Sequence, residues 1–246
     1  MVHVRVLVPV TASGPRNAED LAGLGGPGVS LSCAFIAEGP PSIESRFDEA
    51  FSVPGMIKLA LEAEQDGVDA LVIDCMGDPG LGALREAVAI PVLGVAQTAM
   101  SVAALLAQRF GVVTVLDRTT TMVNELVDLY GHQRHYVGCL PIGVPVLQIH
   151  DDLPKVRSNL AEAALRLVEE RGAAAIVLGC TGFLGCVEAI DHRLREAGYH
   201  IPVIDPVPTA ISMAAALVEL GLSQSRISYP AFERDKAFTG YDSILG

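Results

Sequence analysis

The stretch LALEAEQDGVDALVIDCMGDPG, residues 59–80, carries the reading of the whole chain. Its first half sets Leu59, Ala60, Leu61 and Ala63 at helical spacing, and Gly67 stands where that helix would be capped. ALVIDC follows as a continuous aliphatic run, the mark of a strand buried on both faces. The run closes on Cys75, with Gly77, Pro79 and Gly80 behind it. A buried strand has no structural need of a thiol at its carboxyl end. A reactive site does.

The arrangement occurs twice. AALRLVEERGAAAIVLGCTGFLG (163–185) repeats helix, glycine turn, strand, cysteine and glycine, with Cys180 in the place of Cys75. Related tails follow the two units, IPVLGVAQTAMSVAALL (90–106) and IPVIDPVPTAISMAAALVELG (201–221). Related strands precede them, VRVLVPVTA (4–12) and FGVVTVLDRT (110–119). The repeat predicts an α/β fold of two pseudo-symmetric lobes, each a mostly parallel sheet with flanking helices. Residues 1–97 with 210–246 would form the lobe of Cys75, and 98–209 the lobe of Cys180. In open α/β sheets ligands sit beyond the carboxyl ends of the strands, so both thiols should face the cleft between the lobes.

Between these landmarks VSLSCAF (29–35) and PVLQI (145–149) read as strands. Helices are expected from Pro54 to Gly67, from about Thr119 to Tyr130, across 158–171 and from Thr209 to Gly221. The segment from Ala87 to Gln108 carries no charge and is long enough on paper to span a bilayer. Pro91 and Gly94 interrupt it, so it reads as a short strand, AIPVLGV, followed by a buried helix, TAMSVAALLAQRF (98–110).

Composition limits the function classes. Half of the 246 residues are hydrophobic, only 19% are charged and there is no Trp, so the core is built from Val, Leu, Ile and Ala. A formal charge of −12 disfavours nucleic acid and anionic membrane, both of which need a basic surface. The opening MVHVRVLVPV alternates like a strand and lacks the apolar core and cleavage site of a signal peptide, so a cytoplasmic protein is expected. Five scattered cysteines suit free thiols in a reducing compartment. No Cys-x-x-Cys or His-x-x-x-His pair points to a metal, and no G-x-G-x-x-G follows a strand to hold a dinucleotide. GLGGPG (23–28) is a turn-rich loop with no Lys behind it to serve phosphate. No cofactor is expected.

Two opposed thiols suit racemisation without a cofactor. One, as thiolate, removes a proton from a carbon next to a carbonyl, and the other returns a proton to the opposite face. A thiol serves because its ordinary pKa of about 8.5 needs only a modest shift. Backbone N–H groups in the turns at Gly77 and Gly182 would lower that pKa and hold a developing oxyanion.

GPPSIESRFDEA (39–50), CMGDPGLGALREAV (75–88), IPVLGVAQTAM (90–100) and VLGCTG (177–182) together resemble the Asp/Glu/hydantoin racemase superfamily, and within it the hydantoin and allantoin racemases. The likeness runs nearly end to end. It implies Cys75 and Cys180 as the acid/base pair and substrate contacts from Pro9, Val10, Thr11, Met76, Gly77, Val115, Leu116, Thr181 and Gly182. It also implies a small-molecule substrate such as a cyclic ureide, and a homo-oligomer. Two departures stand out. Members of that branch often begin Asn-Pro-Asn-Thr, where this chain has Val8-Pro9-Val10-Thr11. Glutamate racemases usually carry a His soon after the second cysteine, where this chain has Thr181-Gly182-Phe183. The first removes polar contacts at the cleft and points to a substrate other than hydantoin or allantoin themselves, such as a neutral or bulkier ring. The second argues against an amino-acid racemase that needs a charged helper there.

The remaining candidates have plainer readings. Free cysteine is among the most buried residue types, so Cys33, Cys139 and Cys186 are assigned to packing. Asp74 and Asp78 fit turn formers or caps, with assistance to the thiols as their alternative, and Thr119–Thr121 fits a helix start. His150 reads as a loop histidine, with a third catalytic role as its alternative. Three other functions are open: an Asp/Glu racemase, a maleate-type cis–trans isomerase or arylmalonate-type decarboxylase, and a non-enzymatic binding protein. The isomerase should need cations for two carboxylates, the decarboxylase needs one cysteine only, and the binding protein needs none.

Overall fold

A computed structural model describes residues 1–11, 18–21, 23–233, 236 and 238–240. Two four-stranded sheets form the frame, and every strand pairing in both is parallel. The first has β1 (Val2–Val8), β2 (Val29–Phe35), β3 (Ala70–Ile73) and β4 (Val92–Gly94) in the order β2-β1-β3-β4. The second has β5 (Phe110–Thr114), β6 (Tyr136–Pro141), β7 (Ile176–Leu178) and β8 (Val203–Ile204) in the equivalent order β6-β5-β7-β8. β3 and β7, the strands that Cys75 and Cys180 follow, thus hold the same place in each sheet. Among the described residues seven α-helices lie between the strands or after the last one: α1 (Arg46–Gln65), α2 (Leu81–Ala87), α3 (Val95–Leu106), α4 (Asp117–Leu129), α5 (Leu153–Arg171), α6 (Val187–Glu196) and α7 (Pro206–Glu219). Among the described residues no helix is long and apolar enough to cross a membrane.

Strand alternation divides the core into layers. Val4, Val6 and Val72 of the first sheet and Val112 and Val177 of the second turn inward to one shared cluster with Ala96, Ala99, Ala103, Ala210 and Ala214. Leu7, Leu71 and Ile73 turn outward beneath Met56, Ala60 and Leu84 of α1 and α2. Val113, Ile176 and Leu178 turn outward beneath Leu160, Leu167 and Ile190 of α5 and α6. Each large side chain taken fully out of water contributes about 1.5–3 kcal/mol. The central helices cross over: α3, which follows β4, packs on β7, while α7, which follows β8, packs on β1 and β3. The small Ala faces of these helices let the two sheets share one interior.

Several boundaries differ from the sequence reading. The helix expected from Pro54 begins at Arg46, because Ser45 caps it: Ser45 Oγ accepts from Asp48 N at 3.2 Å and donates to Asp48 Oδ2 at 2.7 Å. Pro54 therefore lies inside the helix, where it removes one amide donor. Gly67 does follow its end, at φ 75°. PVLQI is no strand. Val146–Gln148 is a single 3₁₀ turn, and the sixth strand is Tyr136–Pro141, which lacks an aliphatic run. The helix expected across 158–171 starts earlier, at Leu153, where the Asp152 carboxylate accepts from Lys155 N. The helix expected across 98–110 is Val95–Leu106, and Phe110 already belongs to β5.

Candidate active site

Loops at the carboxyl ends of the central strands β1, β3, β5 and β7, together with segments that follow β2 and β6, surround one cavity of about 340 Å³ between the lobes. Cys75 and Cys180 both line it. So do Pro9, Val10, Met76, Gly77, Val115, Thr181 and Gly182 from the sequence assignment. Thr11 and Leu116 stand beside the lining. Thr11 is drawn toward the loop before α1, its amide donating to Pro40 O at 3.2 Å. Leu116 is held at the start of α4, where Thr119 Oγ1 accepts from its amide and donates to its carbonyl.

Each cysteine sits on a turn that needs glycine. The Gly77 amide donates to Cys75 Sγ at 3.4 Å, a contact that favours the thiolate. A Cβ on Gly179 would lie 2.7 Å from Val113 O, so a side chain on the residue before Cys180 would force the neighbouring backbone to shift. A Cβ on Gly182 would press on Ile149 at 2.8 Å and touch Cys180 Sγ at 3.4 Å. Burial pushes the Cys75 thiol well above the usual cysteine range, the Gly77 amide opposes this, and Glu49, Cys180 and Asp78 add to it by charge. The two thiols therefore feel one another, and a second negative charge in the pair is disfavoured.

The loop of Cys75 is anchored by Asp78, a buried residue at φ 46°. Its carboxylate caps α3, accepting from Ala96 N at 2.9 Å and Gln97 N at 2.8 Å, and it accepts from Tyr130 OH at 2.7 Å. Gly94 is needed beneath it, because a Cβ there would collide with the carboxyl group. The capping assignment for Asp78 is the correct one, and the Tyr130 bond reaches it from the other lobe. Other bonds also cross between the lobes: Val146 N donates to Glu44 Oε1 at 2.6 Å, and Arg46 pairs with Glu125.

The walls are mostly apolar. Val8 and Val10 form one side, where the resemblance would put asparagines, and Ile43, Met122, Val123, Val146 and Leu184 continue it. No Lys or Arg lines the cavity among the described residues, and Asp20, Asp74 and His150 are the ionisable groups besides the thiols. His150 reaches the site from just beyond PVLQI, the stretch expected as a strand. Ser42, Ile43, Met122 and Val146 also escaped the sequence reading, since each arrives through tertiary packing; PSIE, part of the resemblance, was the only hint. Cys33, Cys139 and Cys186 lie elsewhere. No cluster of three or more His, Cys, Asp or Glu suited to a metal occurs among the described residues.

The Asp/Glu/Hydantoin racemase family model matches residues 16–214. Hydantoin racemase from Rhizobium meliloti is 41% identical over 211 residues, covering 86% of either chain. Hydantoin racemase from Pseudomonas sp. (strain NS671) is 41% identical over 202 residues, 82% of this chain and 79% of the relative. The solved allantoin racemase from Klebsiella pneumoniae superposes with a TM-score of 0.91 at 33% identity, covering 99% of both chains. The chain belongs to the Asp/Glu/hydantoin racemase family, and so to the racemase-type isomerases.

Proposed function

We propose that this enzyme racemises 5-substituted hydantoins without a cofactor, using Cys75 and Cys180 as a two-base pair. One observation carries the reading: two cysteines from equivalent strand ends line a single cavity between the lobes. One thiolate takes the proton from C5 of the ring, and the C–H electron pair moves into an enolate on the neighbouring carbonyl. The opposite thiol then gives its proton to the other face of C5. The product is the mirror image, and the enzyme is left with its proton on the other sulfur. Atoms and charge balance with no added reactant.

The substrate class follows from the walls. A buried carboxylate without a cation is costly, and the described lining offers none, so a neutral ring is favoured over glutamate or aspartate. The apolar side formed by Val10, Ile43, Met122, Val123, Val146 and Leu184 suits an alkyl or arylalkyl group at C5 rather than the polar ureido group of allantoin. Polarimetry of the purified enzyme on enantiopure 5-alkyl hydantoins, allantoin, aspartate and glutamate tests this. The hydantoins should lose rotation fastest. Faster racemisation of either amino acid would overturn the reading.

A further inference from the structure

Glu49 lies on α1 one turn past the Ser45 cap, and its carboxyl group meets the loop of Cys75. Oε2 accepts from Arg46 Nη1 at 3.2 Å. Oε1 is buried and has no hydrogen-bond partner among the described residues. That oxygen rests against Gly77, since a Cβ on residue 77 would fall onto it. The same glycine donates its amide to Cys75 Sγ. One residue thus carries the thiol on its N–H and the carboxyl group on its bare Cα.

A buried oxygen without a donor is rare enough in folded proteins to need a reason. Arg46 quenches the charge only in part, because it is shared with Glu125 of α4. The other ionisable groups acting here are Asp48 on α1 and Asp78 and Cys75 in the loop after β3. Burial pushes the Glu49 carboxyl up, with Asp78 and Asp48 adding to the effect and Arg46 opposing it. A carboxylate stays ionised at the alkaline pH where a buried thiol titrates.

We propose that Glu49 is a positioning residue for the thiol pair: its carboxylate, held against Gly77, keeps the resting proton on Cys75 and leaves Cys180 as the base. This inference rests on the two-thiol reading above. Its kinetic consequence is specific. Enantiomers are equal in energy, so kcat/KM is the same in both directions, and a bias between the two enzyme forms appears only in kcat and KM separately. The enantiomer whose C5–H faces Cys180 then has both the lower KM and the lower kcat.

Two measurements test it. In a Cys180→Ser background, the pH dependence of iodoacetamide alkylation is followed at the Cys75 peptide by mass spectrometry. Glu49→Gln should lower the Cys75 midpoint by about one pH unit, roughly tenfold in thiolate fraction, because one neighbouring charge is gone. Glu49→Asp keeps the charge and should move it much less. In a Cys75→Ser background, the Cys180 midpoint should move less than that of Cys75. In the two-thiol enzyme, Glu49→Gln should change the ratio of the enantiomers' KM values about tenfold. An unmoved Cys75 midpoint, or an equal shift at Cys180, overturns the proposal. A lowered Cys75 midpoint in a protein that racemises no hydantoin would instead defeat the function proposed above and leave the electrostatic assignment of Glu49 standing.

Discussion

Thr181 Oγ1 donates to the carbonyl oxygen of Asp74 at 3.3 Å, so the residue after Cys180 is bonded to the residue before Cys75. The bond crosses the cleft from one lobe to the other and ties the Thr181 side chain of one sulfur-bearing turn to the backbone of the other. A racemase of this kind needs its acid and base at fixed separation on opposite faces of one carbon, and misplacement of a fraction of an ångström is costly. Thr181→Val keeps the volume and removes the donor. It should lower kcat/KM by about fivefold to tenfold, the worth of one modest hydrogen bond, with a small change in melting temperature. Thr181→Ser, which keeps the hydroxyl, should retain most of the activity. Equal losses in the two variants would show that packing, not the bond, sets the rate.

Asp78 makes stability depend on pH in an unusual direction. Burial lifts its carboxyl from about 3.8 to about 6, although Ala96 N, Gln97 N and Tyr130 OH all favour the charged form. A carboxyl group raised on folding binds its proton more tightly in the native state than in the unfolded chain. Its stabilising contribution is therefore complete below about pH 3.8 and is lost as pH climbs through about 6. Asp78→Asn removes that titration along with the α3 cap. Urea midpoints should show the gap between wild type and Asp78→Asn narrowing as pH rises from about 4 to about 7. A gap that widens over this range would contradict the assignment.

The parts legible in the sequence are those where backbone and burial agree. The aliphatic strands and the doubled cysteine turns announce the two lobes, because a parallel strand covered on both faces leaves a continuous aliphatic run. The edge strand Tyr136–Pro141 was hidden because it is only half covered, with Gly138 at φ 133° under the Arg171 side chain. PVLQI imitated a strand because Val146 and Ile149 are buried for another reason, flooring the cleft beneath Gly182. The cysteines were readable from their repeat. Glu49 and Tyr130 were not, since their roles come from the residues they meet after folding.

Gly179 separates two kinds of conservative change at the second thiol. A methyl group on it would meet Val113 O at 2.7 Å and Val112 Cγ1 at 2.8 Å, inside paired strands that have little room to move. Gly179→Ala should cost about 1–3 kcal/mol of stability, as overpacking does. Gly182→Ala meets Ile149 Cδ1, the end of a flexible side chain, and should be tolerated better by the fold. Its cost should fall on Cys180 reactivity instead. Denaturation midpoints and iodoacetamide alkylation rates at Cys180 for the two variants would show whether the losses divide in this way.

The two-thiol mechanism makes the sharpest demand. If each sulfur serves one face of the substrate, Cys75→Ser or Cys180→Ser should abolish net racemisation, because a hydroxyl is too weak a base near neutral pH. A positioned acid or base contributes typically about 10²–10⁴-fold, so the loss should be large. Yet the remaining thiolate still reaches C5–H on its own side and can return a deuteron there. In deuterated water, each variant should exchange the proton of one enantiomer without inversion, and the two variants should prefer opposite enantiomers. The intact pair works only with one proton between its sulfurs, so its pH–rate curve should be a bell whose two limbs belong to the pair jointly. Cys33, Cys139 and Cys186 lie outside the cavity, so their replacement by Ala should leave turnover near wild type in any variant that folds. Full racemase activity in either Cys75→Ser or Cys180→Ser would sink the mechanism.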